Sequence, residues 1–250
     1  MNIMESMIAN KQASYIVTDD TGEIVEVFAR PKGVEQALED KLSAEDLARG
    51  SAIVERSYRF NQMKANLCTR CINTKCMNRC KGLRALPTGN IDTRVMFINK
   101  QPTDYETIMS ASCSDKCGVY MSLIMDKMCV PRDAVYFTDI IKCNNAKLDE
   151  PSFYECIDTY LRQEIDLVNP KLIICNGLST LKTCCARNIL TGLPKDVSYG
   201  NIYTVKLPNG NEAKVTAIYD LETVLKKSGD DYNRCKTDLW LQVLHAFQSL

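Results

Sequence analysis

Four short apolar runs, separated by stretches of helical character, restrict the folds open to the chain after residue 90. The runs occupy residues 94–98, 134–138, 171–175 and 214–219. Continuously apolar runs are typical of strands buried on both faces, and their alternation with helices is typical of a parallel sheet. The stretches 118–129, 151–168 and 177–189 are the predicted helices. We therefore predict an α/β fold, a three-layer α/β/α domain around a mostly parallel sheet of about four strands.

The first 60 residues form a predicted α+β appendage. Residues 15–18 and 23–28 alternate across a turn at Asp19-Asp20-Thr21-Gly22, which predicts a β-hairpin. Ser43-Ala-Glu-Asp46 resembles a capping box and indicates the start of a helix. The predicted domains are residues 1–60 for the appendage and 61–250 for the α/β domain.

The composition excludes several function classes. Lys+Arg and Asp+Glu are both 31, so bulk charge implies no attraction to nucleic acid. No apolar run approaches the roughly 18 residues that span a bilayer, so no membrane partner is expected. The start MNIMESMIANK lacks the pattern of a secretory signal. We expect a cytoplasmic protein, in the host cytoplasm if the chain is viral.

Cysteine is unusually frequent, with 13 Cys against one His, His245. In a reducing compartment, clustered thiols more often bind metal than form disulfides. A local set of four thiols could hold zinc, and a distributed set from two chain segments could hold an iron–sulfur cluster. The local set is Cys68, Cys71, Cys76 and Cys80, and the distributed set is Cys68, Cys71, Cys143 and Cys156. Spacing alone leaves both open.

The local cysteines lie in a basic stretch. From Arg59 to Arg84 there are seven bases and no acid, whereas residues 1–58 carry 11 acids against 6 bases. Such a stretch is often only a solvated face, but beside a metal centre it predicts a phosphate-binding surface. The predicted DNA-binding residues are Arg70, Lys75, Arg79, Lys81 and Arg84. Lys142, next to Cys143, is expected to touch a phosphate, to tune a cluster, or simply to be solvated.

The order of these pieces resembles the iron–sulfur (family-4-type) uracil-DNA glycosylases, including glycosylase-like domains of some phage DNA polymerases. The resemblance covers about residues 65–245 and is most specific over 132–177. There, R-D-A-V-Y-F-T-D-I-I-K-C is followed by E-C-I-D-T-Y-L-R-Q-E-I-D-L-V-N-P-K-L-I-I-C-N-G. The resemblance implies a 4Fe-4S cluster on Cys68, Cys71, Cys143 and Cys156, with zinc on the local set as the alternative.

The chemistry of the family carries over poorly. Its Gly-Glu-Ala-Pro-Gly motif matches residues 99–103, where only Pro102 survives. The Phe that stacks on uracil falls at about Cys113, the Asn that reads the base edge at Asp139, and the His of the late motif at Asp220. An ionised Asp139 only accepts hydrogen bonds, and Asp220 would oppose the charge of a departing uracilate. Ordinary uracil excision is therefore disfavoured.

Three hypotheses follow from this pattern. The favoured one is a glycosylase-fold protein with lost or altered base-excision activity that binds single- or double-stranded DNA in repair or replication, with a replication or repair protein as a further partner. The second is an active glycosylase with a changed substrate, in which Asp139 accepts from an exocyclic amine and Asp104, Glu106 or Asp220 handles protons. The third is a zinc-stabilised module that binds another protein.

Overall fold

The structure is a computed structural model, and it describes residues 13–18, 24–29, 44–69, 83–144, 154, 156–186 and 188–250. The chain divides into two compact units, Met1–Glu55 and Arg56–Leu250. No helix in the described ranges is long and apolar enough to cross a membrane.

The first unit contains two antiparallel strands, β1 (Ala13–Thr18) and β2 (Ile24–Ala29). This pairing confirms the two strands of the predicted hairpin, whose turn lies outside the described residues. Helix α1 (Ala44–Thr69) begins next to the predicted capping box and continues into the second unit.

A five-stranded sheet forms the centre of the second unit, in the order β4-β3-β5-β7-β6. Its strands are β3 (Val95–Asn99), β4 (Val135–Asp139), β5 (Leu172–Asn176), β6 (Tyr203–Lys206) and β7 (Glu212–Ile218). The pairings β3–β4, β3–β5 and β5–β7 are parallel, and β6 is antiparallel to β7. All four predicted strands are confirmed, and β6 adds an edge strand.

Helices cover both faces of this sheet. They are α2 (Asp104–Ile108), α3 (Lys116–Lys127), α4 (Arg162–Val168), α5 (Leu178–Ala186), α6 (Leu221–Leu225) and α7 (Gly229–Gln248). One core cluster joins the sheet to α4 and α5, and the other joins it to α3, α6 and α7. The three-layer prediction is confirmed. A π-helical turn (Ile157–Leu161) precedes α4, and a 3-10 turn (Arg132–Ala134) precedes β4.

The second half of α1 forms a third, smaller core. Met63 and Leu67 of α1 pack with Tyr160 and Leu167 from the π-helical turn and α4, and Cys156 packs against the same cluster. Because Leu67 directly precedes Cys68, the end of α1 is anchored beside the segment that carries Cys156.

Candidate functional site

The strand order places a crevice at the carboxyl ends of β3 and β5. From β3 the chain connects to β4 on one side, and it then returns past β3 to β5 on the other side. Open α/β sheets bind ligands at such a point, where the direction of the connections reverses. Asn176 donates to Asn99 across this point at 3.0 Å and accepts from the backbone N–H of Leu221 at 2.9 Å. The two asparagines therefore close the floor of the crevice with their own hydrogen bonds.

The loop after β3 is held by internal hydrogen bonds. Pro102 is buried, and Thr103 and Glu106 form a reciprocal capping box at the start of α2. Burial, more than any neighbouring charge, raises the pKa of Glu106. Asp104, a candidate proton carrier, lies exposed at the rim and accepts from Asn144 at 2.5 Å.

Asp139 lies at the end of β4 and is wholly buried, with 0% exposure. Ser112 donates to its Oδ2 at 2.5 Å, while Oδ1 has no hydrogen-bond partner among the described residues. Burial, followed by the negative charge of Glu106, raises the pKa of Asp139 to about 7. Burial therefore moves the ionisation of Asp139 into the neutral pH range, which the expectation of an ionised Asp139 did not include.

Cys113 fills the position where the resemblance expects an aromatic platform. Its side chain is 2% exposed, and burial raises the pKa of its thiol. Its backbone N–H donates to Glu106 Oε1 at 2.5 Å, and its carbonyl accepts from Arg132 at 2.6 Å. Arg132 in turn stacks over Phe137, 4.3 Å from the ring centroid. The residue serves the packing of its loop and offers no stacking face.

Asp220, which the resemblance places at the family's histidine, caps α6. Its Oδ1 accepts from the backbone N–H of Thr223 at 2.8 Å and from the Thr223 hydroxyl at 2.7 Å. The strand order thus places four predicted pocket residues, Pro102, Cys113, Asp139 and Asp220, at one edge of the sheet. Cys113, Asp139 and Asp220 are engaged in local structure. Their assignment as a base pocket stays a prediction.

Only two cysteines of the distributed set, Cys143 and Cys156, have side chains within the described part of the chain. Cys143 and Cys156 are both half-buried, and each packs beside an apolar cluster. Their partners Cys68 and Cys71, and the alternative ligands Cys76 and Cys80, have side chains outside the described residues. Within the described ranges, no group of three or more Cys, His, Asp or Glu could hold a metal. Half-buried thiols beside apolar side chains are chemically suited to a four-thiolate iron–sulfur cluster.

Of the five predicted DNA-binding residues, only Arg84 lies within the described part of the chain. Arg84 is half-buried, and its backbone pairs with Cys143 in an antiparallel bridge. Arg70, Lys75, Arg79 and Lys81 lie outside the described residues.

A buried ion pair was missed by the sequence reasoning. Lys142 is 2% exposed and lies 2.7 Å from Glu164, so its expected solvation and its expected contact with a phosphate are wrong, while an effect on a cluster stays a prediction. The available signal was Glu164, which falls at helical spacing on the apolar stripe Ile157, Leu161, Ile165 and Val168. A charged residue on such a stripe requires a buried partner.

The fold defines a doubly wound α/β protein, a class in which ligand sites lie at the carboxyl edge of the sheet. Residues 86–243 match the family model of the Uracil DNA glycosylase superfamily, and the chain belongs to that superfamily. It is similar to the Type-4 uracil-DNA glycosylase of Thermotoga maritima, with 24% identity over 95 residues. That match covers 37% of this chain and 50% of the relative, so the chain spans about half the length of the curated relative.

Proposed function

We propose that this protein binds DNA in repair or replication inside the cell, and that it does not excise uracil. The observation that carries the proposal is Asp139, which occupies the base-reading position yet is wholly buried under the hydroxyl of Ser112. A flipped uracil needs an accessible group that both donates and accepts at its edge. With Cys113 buried and Asp220 capping a helix, the other positions of the pocket are also in structural use.

DNA binding is supported by where the basic stretch ends. Arg84, its last base, pairs with Cys143 just beyond β4, at the same edge of the sheet as the crevice. Backbone phosphates are the ligands of such a surface, and contacts to phosphates do not need a base pocket.

We further propose a 4Fe-4S cluster on Cys68, Cys71, Cys143 and Cys156. Two observations support this set over zinc on Cys68, Cys71, Cys76 and Cys80. Cys156 packs against the apolar cluster that contains Leu67, the neighbour of Cys68, and Cys143 pairs with Arg84 beyond the cysteine loop. When bound, the cluster would cross-link α1 to the segments after β4 and before α4.

Single serine variants of the anaerobically purified protein distinguish the two metal sites. Cys143→Ser and Cys156→Ser are expected to lose iron and acid-labile sulfide, while Cys76→Ser and Cys80→Ser retain both. Metal and sulfide analysis of each variant provides the readout. Two results contradict the cluster and support the local zinc site. One is wild-type protein that contains zinc and no sulfide, and the other is metal loss in Cys76→Ser and Cys80→Ser but not in Cys143→Ser and Cys156→Ser.

The function is tested with an alkali-cleavage assay for abasic sites, with DNA binding measured in parallel. The substrates are single- and double-stranded oligonucleotides with uracil, and the Thermotoga maritima relative is the positive control. We expect salt-sensitive binding by this protein and no strand breaks at uracil. Strand breaks at uracil contradict the proposal. Protein that retains its metal and binds no DNA supports the hypothesis of a protein-interaction module.

A second candidate function is excision of a base with an exocyclic amine. The supporting observation is Asp139 Oδ1, a buried acceptor with no hydrogen-bond partner among the described residues. Such an oxygen would accept from an amino group, as carboxylates do with cytosine N4. A panel of amino-bearing and modified bases in the same assay, with Asp139→Ala as the inactive control, decides it; bases that all stay attached rule it out.

A further inference from the structure

A buried ion pair lies behind the crevice, between β4 and α4. The Lys142 ammonium is 2.8 Å from Oε1 and 2.7 Å from Oε2 of Glu164. The Thr138 hydroxyl accepts from Lys142 at 2.5 Å and donates to Glu164 at 2.8 Å. Lys142 is 2% exposed, and both Glu164 and Thr138 are 0% exposed. The charges are therefore satisfied mainly by one another and by the Thr138 hydroxyl, away from water.

The pair connects the two segments that carry Cys143 and Cys156. Lys142 directly precedes Cys143, and its carbonyl accepts from the backbone N–H of Ala85 at 2.9 Å. Glu164 lies in α4, which continues the π-helical turn that begins directly after Cys156. Because both charges are buried and satisfied mainly by each other, this contact ties the two segments together.

Stability alone does not explain this pair. Taking an ammonium and a carboxylate out of water is costly, and well-packed apolar side chains of similar volume often serve equally well or better. In some proteins a buried polar or ionic group instead fixes the register between two segments.

We infer that Lys142 and Glu164 are positioning residues for the metal centre, holding the Cys143 segment and the Cys156 helix in the register in which their thiolates share one cluster. This inference rests on the proposed function, because it requires the distributed cysteine set. The ion pair touches neither DNA nor the cluster and acts only through the two segments.

The test replaces the whole network by apolar residues of similar shape, Thr138→Val with Lys142→Met and Glu164→Met. The full chain is purified anaerobically, and three quantities are measured: iron and acid-labile sulfide per chain, the half-time of iron release to excess EDTA, and the thermal unfolding midpoint. We expect the midpoint to stay within about 3 °C of the wild type, a shift equivalent to roughly 1 kcal/mol for a domain of this size. Iron release should become at least tenfold faster.

Two further variants keep the test decisive if the triple variant does not fold. Glu164→Gln retains hydrogen-bonding capacity without the charge and should accelerate iron release by a smaller factor. Lys226→Gln removes the exposed Glu222–Lys226 ion pair, whose atoms are 2.9 Å apart, and should leave iron release unchanged. If iron loss only follows a lower unfolding midpoint, the positioning role is overturned. An unchanged rate of iron release in the folded triple variant also overturns it. If only Glu164→Gln folds, an unchanged release rate in that variant has the same meaning.

The wild-type protein separates this inference from the proposal on which it rests. Wild-type protein without iron and sulfide overturns the cluster and the inference together. A loaded wild type with an equally stable cluster in the triple variant overturns the inference alone.

Discussion

Asp139 illustrates how burial changes the chemistry of a single residue. Its sequence position suggested an anion that repels the oxygens of uracil, but its pKa is raised to about 7, chiefly by burial. A protonated carboxyl donates and accepts, as an amide does. The distinction was not predictable from the sequence, because the residues that bury and bond Asp139 lie far from it along the chain; Ser112 is 27 positions away.

The raised pKa predicts a pH-dependent stability that Asp139→Asn should abolish. Because the folded state holds the proton more tightly, the contribution is complete below the unfolded pKa of about 4 and is lost as pH rises through 7. The free energy of unfolding of the wild type, measured relative to that of the variant, should therefore be lower at pH 8 than at pH 4 by up to roughly 4 kcal/mol. Urea unfolding of both proteins at the two pH values measures this; parallel pH profiles would contradict it.

At the scale of elements, patterns of apolar residues were sufficient for the sheet. The predicted strands 94–98, 134–138 and 171–175 each differ by one residue at both ends from β3, β4 and β5. The short helices α2 and α6 were not predicted, because five residues carry too little periodicity. Side-chain caps hold them instead, through Thr103 and Glu106 in α2 and Asp220 in α6.

The contact between α3 and the Cys113 loop gives a prediction at this scale. A Cβ on Gly118, in the first turn of α3, would overlap the carbonyl oxygen of Cys113. Gly118→Ala should therefore lower the free energy of unfolding by about 1–3 kcal/mol or more, since backbone atoms must move apart. The control is Gly50→Ala in α1, where nothing lies within 4 Å and a gain of about 0.5–1 kcal/mol is expected. Equal effects in thermal unfolding would argue against the tight contact.

At the scale of the whole molecule, the sequence predicted the layers and the superfamily but not the state of the crevice. The hydrogen bond at the crevice joins Asn99 and Asn176, which are 77 positions apart, and the ion pair Lys142–Glu164 behind it spans 22 positions. The position of Glu164 on an apolar stripe signals a buried partner, but the sequence does not identify that partner, because these contacts form only when the sheet brings distant segments together. The same topology leads from Arg84 directly to Cys143, which links the basic stretch to the carboxyl edge of the sheet.

This arrangement predicts a strongly localised salt dependence of DNA binding, although the formal net charge of the chain is zero. Each phosphate contact contributes a slope of about −0.9 to log K against log salt on duplex DNA. Lys75→Gln with Arg79→Gln should therefore make the slope less steep by about 2. Fluorescence anisotropy of a labelled duplex across a salt series measures it.

A charge-matched control shows whether the location of the basic residues determines the salt dependence of DNA binding. Lys127 ends α3 and Lys171 directly precedes β5, so both lie at the amino-terminal edge of the sheet, and both are exposed. Lys127→Gln with Lys171→Gln removes the same two charges and should leave the slope unchanged. If both double variants change the slope equally, DNA senses only the total charge, and the basic stretch between Arg59 and Arg84 has no special role. A change confined to Lys75 and Arg79 identifies that stretch as the DNA contact.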